Sequence, residues 1–510
     1  MFCNKHNVNL LTAHLLAFGI EDAVVCPGSR NAVIVHNLLE CSRAASAETP
    51  VRLHPVTDER SAAFVAIGIW LCTRRPVVVC VTSGSALLNL LPGVAEASFR
   101  AIPLVLISAD RPPRWIGQLD GQTLPQPGAL EPYAHTWQPD TESDLREALL
   151  ATLIGGGQPV HINVPIDEPL FEFTTPALPP CLPYPAACAA EASPLSPQLL
   201  ADIRSARHPA VIIGQYEDGA LEALDVLRQH GWTIFAENIS NQGIYNDELT
   251  DVGLLLHIGG ALVEKRLKLL LRQQAGLTIV RIDATAECPE TFGPVTHKVT
   301  MHPAAFLRQL AHDLYATPLA AAAPALTPAA TAAHAATHRA AAVSGELQLP
   351  LAAFFVGNST AVRWANKHLR VTAPTYCNRG VNGIEGSLSV AAGHALATDG
   401  TVLCLIGDLS FFYDCNALWN QRLGGNLRIL LVNNNRGGIF YRLPGLDESP
   451  ALDDYIAAQH DNDARGIAQS YRCTYLEATT SNLVDDIDGL VRRLLDTESS
   501  RPVVLEVRVD

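Results

Sequence analysis

The chain has 510 residues, 48% of them hydrophobic and 17% charged, with a formal net charge of -15. That length exceeds a single hydrophobic core and suggests about three domains of roughly 150 residues each. The apolar content excludes a disordered chain, and the negative balance excludes general nucleic-acid binding, which needs a basic surface.

The N-terminal stretch MFCNKHNVNLLTAHLLAFGI lacks the basic start, apolar middle and small-residue cleavage site of a secretory signal. No segment offers an uncharged apolar run of about 18 residues, so no membrane span is expected and the protein reads as cytoplasmic. Twelve cysteines stand singly between Cys3 and Cys473, with no C-x-x-C pair and no zinc-type Cys/His spacing. They read as small buried hydrophobes of a reducing compartment.

Along the first third, DAVVCPGSR, PVVVCVTSGS, IPLVLISADRP and PVHINVP are short apolar runs separated by amphipathic stretches. The middle third continues with PAVIIGQ, LLLHIGG and LTIVRID, and the last with FFVGNST, VLCLIGD, LRILLVNNN and PVVLEVRV. Near-continuous apolar strands alternating with helices predict α/β domains, each a doubly wound, mainly parallel sheet covered on both faces. A proline-rich stretch at 176–194 and an alanine-rich one at 318–343 read as breaks, so the expected domains are 1–180, 190–330 and 345–510.

Ligands of such sheets gather at the carboxyl ends of the strands. Here nearly every strand ends in Gly, Ser, Asp, Asn or Arg, although at any one end such residues commonly make no more than a turn or a helix cap. VLCLIGD puts Asp408 at a strand end, SFFYDCNALWNQRLG predicts a helix of about four turns, and LRILLV is the next strand, ending at Asn433. A right-handed crossover sets both ends on one rim. A carboxylate, an amide oxygen and a backbone carbonyl there make a hard oxygen site for magnesium, whose octahedron is normally completed by water and phosphate oxygens. Helix N-termini favour those phosphates. A plain strand-helix-strand unit with polar ends is the competing reading.

Gly407-Asp408 followed by Asn434 resembles the diphosphate-binding motif of thiamine-diphosphate enzymes. Together with TDERSAAFVAIGIW, TSGSALLNLLPGVAEA, SADRPP, FVGNS, NRG and NNNRGGIF, it makes the chain resemble the 2-succinyl-5-enolpyruvyl-6-hydroxy-3-cyclohexene-1-carboxylate synthase family of menaquinone biosynthesis. The likeness is dense in the first and last thirds and thin in the middle, where it rests chiefly on EKR. It implies a transferase that decarboxylates 2-oxoglutarate on thiamine diphosphate and adds the succinyl unit to isochorismate. By the same resemblance, Asp408, the Asn434 side chain and the main-chain carbonyl of Arg436 would hold magnesium or manganese. Gly407, Leu409, Ser410, Ile439 and Phe440 would contact the cofactor, with Ile439 beneath it to keep its two rings in a V. Glu59 would share a proton with the pyrimidine nitrogen, which needs a carboxyl group of raised pKa in a dry site.

The resemblance also assigns substrate carboxylates to Ser29, Arg30, Arg111, Gln122, Arg363 and Arg379 and, in the thinly matched middle, to Lys265 and Arg266, with Gln122 and Ser359 catalytic. A guanidinium binds carboxylate bidentately, which suits polyanionic substrates. Arg436 departs from the family, which often has Gly there; the carbonyl ligand survives but the backbone is less free. In this family the two cofactor domains come from different chains, so a homodimer is expected, with a tetramer of dimers as the larger assembly. On the residues alone, Glu59 reads equally well as a first-turn carboxylate behind an Asp58 cap, and each arginine as an ion-pairing surface group. Another thiamine-diphosphate enzyme, such as an acetolactate synthase or a 2-oxoacid decarboxylase, is the alternative function. A degenerate binding subunit is the non-enzymatic one, against which Glu59 and Asp408 both stand.

Overall fold

The computed structural model describes residues 1–43, 50–139, 141–153, 157–185, 194–243, 245–246, 249, 251–285, 288–316, 346–347 and 350–509. The alanine-rich stretch expected at 318–343 lies outside the described residues, as do 186–193 of the proline-rich one. Two compact units are present: Met1–Ala187 together with Gly380–Asp510, and Cys188–Arg379.

In the first unit, β1 (Asp22–Val25), β2 (Arg52–Pro55), β3 (Val77–Val81), β4 (Leu104–Asp110), β5 (His135–Trp137) and β6 (Val160–Pro165) form a parallel sheet in the order β2-β1-β3-β4-β6-β5. Strands β1, β3 and β4 are buried along their whole length, as strands covered on both faces must be. On one face Val78, Cys80, Val105 and Ile107 pack with Leu11, Leu15, Leu38 and Leu149 of flanking helices.

The second unit holds β7 (Pro209–Ile213), β8 (Thr233–Ala236), β9 (Tyr245–Asn246), β10 (Leu254–Ile258), β11 (Thr278–Asp283) and β12 (His297–Thr300), ordered β12-β11-β10-β7-β8-β9. The β8–β9 pair is antiparallel and the other pairs are parallel. Alternate residues go to opposite faces: Val211, Leu256 and Val280 meet Phe306 and Leu310, whereas Ile212, Leu255 and Ile279 meet Leu267, Leu271 and Phe292. Shorter parallel pairs join β13 (Glu346–Leu347) to β15 (Arg370–Val371) and β14 (Ala353–Val356) to β16 (Thr375–Tyr376).

Back in the first unit, β17 (Val402–Gly407), β18 (Leu427–Asn433), β19 (Thr474–Thr480) and β20 (Val503–Val509) run parallel in the order β17-β18-β20-β19. The doubly wound, mainly parallel architecture expected from the sequence is therefore present. The helices Glu59–Thr73 and Ser387–Ala397 meet backbone to backbone: a Cβ on Gly68 would lie 2.0 Å from the Val390 carbonyl, and one on Gly393 2.0 Å from the Val65 carbonyl. Glycine is the only residue that permits this approach.

Three sequence expectations need correction. The helix after Asp408 is not four turns long; it spans Asp408–Asp414 and passes into a 3-10 segment, Cys415–Trp419. Asp414 turns its carboxylate to the Ser389 amide and hydroxyl, and Asn416 donates to Asp58, so these side chains bond elsewhere instead of supporting a continuing helix. Asp408 itself opens the helix instead of closing the strand. Finally, Cys72, Cys181, Cys288 and Cys415 are only partly buried, although no disulfide forms among the described cysteines. No described helix is long and apolar enough to cross a membrane.

Candidate active site

Strands β17 and β18 are adjacent and in register from Val402↔Leu427 to Gly407↔Val432, so Asp408 and the three consecutive asparagines leave the sheet at one rim. The asparagines divide the labour. Asn433 is fully buried and its amide donates to Glu506 at 2.7 Å and to the Asn462 carbonyl at 3.0 Å. Asn435 adopts a positive φ of 60°, donates to the His460 carbonyl at 2.8 Å, and accepts the His460 amide on its own carbonyl at 2.9 Å. Between them, the Asn434 side chain makes no hydrogen bond among the described residues, and its main-chain N–H donates to Asp408. Two amides fix the loop so that the third keeps a free oxygen.

Asp408 is 3% exposed. Its Oδ1 accepts the Leu409 amide at 2.7 Å, and its Oδ2 accepts those of Asn434 at 3.1 Å and Arg436 at 3.2 Å. Burial is the largest influence on this carboxyl and raises its pKa, while these amides and His460 pull it down. His460 Nε2 lies 3.5 Å from Asp408 Oδ2 and has no hydrogen-bond partner. A buried carboxylate held only by N–H donors, beside an unengaged amide and the Arg436 carbonyl, is a hard-oxygen donor set that fits magnesium or manganese. The Arg436 carbonyl accepts only Gly438 at 2.9 Å, leaving a second lone pair. The Arg436 guanidinium stacks over Tyr441, 4.6 Å from the ring centroid.

Of the other residues expected around the cofactor, Gly407 precedes the helix with extended backbone, Ser410 donates to the Ile384 carbonyl, and Leu409, Ile439 and Phe440 are half-buried, the last two opening a 3-10 turn.

Glu59 is the first residue of a 15-residue helix. Asp58 is its N-cap, as expected, and accepts the Arg60 and Ser61 amides. With the capping taken over by Asp58, the half-buried Glu59 carboxylate accepts no hydrogen bond among the described residues. It sits close enough to Cys26, at the tip of β1, to add to the burial that pushes that thiol well up.

The expected substrate residues are placed variously. Gln122 has a φ of 62° and Ser359 one of 68°, in the left-handed region that side-chain-bearing residues adopt at a cost. Arg111 braces the Gln122 loop: Nε meets Asp120 at 2.8 Å, and Nη1 meets the Ser83 hydroxyl at 2.8 Å and the Gln122 carbonyl at 3.1 Å. Arg30 is buried and bonded to the Ile166 carbonyl and Glu168, whereas Ser29 is exposed. In the second unit Arg363 donates to the Ser359 carbonyl at 2.5 Å, and Arg379 donates to Asn358 and the Leu262 carbonyl while its Nε is buried without a partner. Burial lowers the Arg363 pKa and the neighbouring Arg379 lowers it further. Two guanidinium groups so close, one with an unmet donor, constitute a demand for an anion. Lys265 and Arg266 are exposed at the start of the helix Lys265–Arg272.

Sequence reasoning missed His460, Lys268 and Gln126. Lys268 is partly buried near Arg379, and both effects lower its ammonium pKa; its place in a strongly amphipathic helix reads as surface. The fully buried Gln126 accepts the Gly84 amide at 2.7 Å and donates to Ser108 and Asn163, tying the Gln122 loop to β4 and β6. No local pattern marks His460, and Gln126 stands in the motif GQTLPQPG without being given a role.

Known proteins resemble this chain over nearly its whole length. Residues 7–131 match the family model described as the thiamine pyrophosphate enzyme N-terminal TPP binding domain, and residues 356–507 match the corresponding C-terminal TPP binding domain. A 2-succinyl-5-enolpyruvyl-6-hydroxy-3-cyclohexene-1-carboxylate synthase of Bacteroides thetaiotaomicron is 38% identical, with 99% of this chain and 96% of the relative aligned. Proteins of the same name from Phocaeicola vulgatus, at 36% identity over 100% and 96%, and Desulfotalea psychrophila, at 35% over 99% and 98%, align as fully. The chain therefore belongs to the 2-succinyl-5-enolpyruvyl-6-hydroxy-3-cyclohexene-1-carboxylate synthase family of thiamine-diphosphate enzymes.

Proposed function

We propose that the protein decarboxylates 2-oxoglutarate and adds the remaining four-carbon unit to isochorismate in a conjugate addition, releasing CO2, as a step of menaquinone biosynthesis. The observation that carries this reading is the rim at Asp408, where a buried carboxylate and the unengaged Asn434 amide lie beside the Arg436 carbonyl in a chain aligned end to end with synthases of that name. Thiamine diphosphate, when bound, supplies the electron sink that lets a 2-oxoacid lose CO2.

Asp408, Asn434 and the Arg436 carbonyl would hold magnesium or manganese against its diphosphate, with Gly407, Leu409, Ser410, Ile439 and Phe440 around it. Glu59, relieved of capping, would hydrogen-bond the pyrimidine nitrogen. Arg363 and Arg379, with Lys268 adding charge, bind carboxylate. Arg111 and Gln126 are positioning residues that hold Gln122 in its strained conformation. Ser359 would contact substrate from the same turn that Arg363 braces, while the exposed Ser29, Lys265 and Arg266 and the already bonded Arg30 complete the set. A homodimer is the proposed active unit.

The test is CO2 release from 2-oxoglutarate with and without isochorismate, and from pyruvate. Consumption of both dicarboxylates with formation of the adduct is expected. Arg379→Ala and Arg363→Ala should each weaken isochorismate use by roughly a hundredfold, with cofactor affinity unchanged. Faster turnover of pyruvate, or indifference to isochorismate, would replace this reading with an acetolactate-synthase type of activity.

A further inference from the structure

A cluster that shares no residue with the candidate active site lies beside the first sheet. His14, on the helix His6–Phe18, has no side-chain exposure. Its Nδ1 meets the Tyr184 hydroxyl at 2.7 Å, while its Nε2 has no hydrogen-bond partner and faces Glu142 Oε1 at 3.7 Å. Glu142 is the first residue of the helix Glu142–Ala151, and Cys181 lies in the extended segment after β6. One ligand atom from each of His14, Glu142 and Cys181 lies within 4.8 Å of the others.

The 3.7 Å gap is too long for a hydrogen bond. It is close to the distance between neighbouring ligands of a tetrahedral zinc ion, which bonds of about 2.0 to 2.3 Å set at roughly 3.3 to 3.6 Å. A buried imidazole nitrogen aimed at a carboxylate and a thiol, with no bond to either, calls for a group between them. The ring's other nitrogen already has the outer partner that metal-bound histidines almost always possess. Tyr184 is itself fixed: the Arg146 guanidinium lies 4.5 Å over its ring and donates to the Leu182 and Pro183 carbonyls, which holds the segment carrying Cys181 in place.

We propose that His14, Glu142 and Cys181 form a binding site for a thiophilic divalent cation of the zinc class, with solvent as the fourth ligand on the exposed Glu142 side. Imidazole, carboxylate and thiolate together select zinc or cobalt over magnesium. On binding, His14 keeps its proton on Nδ1, bonded to the Tyr184 oxygen, and presents the Nε2 lone pair. The Cys181 thiol releases its proton to solvent, and no redox change occurs. Burial, with the adjacent Glu142 carboxylate, pushes that thiol up when no cation is present; the cation offsets both influences. The bound ion would fasten the 181–184 segment to the first helix and so stabilise the native state by mass action.

The test is titration of the full-length, chelator-treated protein with Co2+ alone, followed by absorbance. One equivalent should give tetrahedral d–d bands and a thiolate-to-cobalt charge-transfer band, both displaced by Zn2+, and Zn2+ should raise the melting temperature. Cys181→Ser, in an extended surface segment, should fold and lose the charge-transfer band, and Glu142→Gln should weaken binding. Tyr184→Phe should weaken it by about 10- to 100-fold, as loss of an outer-shell partner does. Absence of a thiolate band in the wild-type protein, or its persistence in Cys181→Ser, overturns the proposal.

Discussion

The helices that begin at Glu59 and Asp408 share a unit and an acidic first turn, yet their carboxylates are in opposite circumstances. At Asp408 the acid is buried and accepts three backbone amides, one from its own helix and two from the loop after β18, so it is held rigidly between the two. At Glu59 a second acid, Asp58, takes the amides, and Glu59 is left half-exposed and without a hydrogen bond among the described residues. A cap supplied by the preceding residue converts a structural carboxylate into one available for chemistry.

Four changes probe that contrast. The largest effect is expected from Asp408→Ala, which removes the carboxylate of the proposed cation site and three amide bonds; calorimetry in the presence of magnesium should detect no thiamine-diphosphate binding, and unchanged affinity would refute the assignment. Glu59→Gln should bind the cofactor normally yet lose turnover by about 10²- to 10⁴-fold, the usual range for a proton-transfer group. Near-normal turnover would return Glu59 to the role of a helix-end charge.

The third change concerns Asp414, at the end of the helix that Asp408 opens, which bonds Ser389 of the helix Ser387–Ala397. Asp414 is fully buried, and burial raises its carboxyl pKa from 3.8 to about 6 despite its bonds to Ser389. The native state therefore holds a proton that the unfolded chain has released. Its stabilising contribution is complete below 3.8 and is lost as pH rises through about 6, with a slope of up to about 1.4 kcal/mol per pH unit. Urea unfolding as a function of pH should show this slope, and Asp414→Asn should flatten it; an equally steep variant would disprove the cause. The smallest effect should come from Asp58→Ala, at about 1 kcal/mol of stability, most of it restored in Asp58→Ser. If Asp58→Ala also reduces turnover, Glu59 has been drawn into capping, and the contrast is sharpened.

Legibility in the sequence followed burial. The strands read from apolar runs, among them β1, β3, β4, β10 and β18, lie inside their sheets, where both faces are covered. Those passed over include β2, β5, β9, β12 and β19, at sheet edges, where exposed residues interrupt the run. At the site, the positions of Asp408 and Glu59 were legible because a strand end and a helix start fix them locally, whereas the roles proposed for them and for Asn434 came from the family resemblance. His460 was not, because a hydrogen-bonded loop brings it to Asp408 from 52 positions further along the chain. The triad of residues 14, 142 and 181 was invisible for the same reason: its spacing exists only in the folded sheet.

The contact through Gly68 and Gly393 has a consequence for how this chain can vary. Main-chain atoms leave no slack to be taken up by repacking, so the crossing behaves as a fixed gauge between the two helices. A saturation survey scored only on activity should mark both glycines as nearly invariant although neither touches a ligand, and libraries aimed at new acceptors should leave this seam untouched and vary the arginine-bearing turns instead.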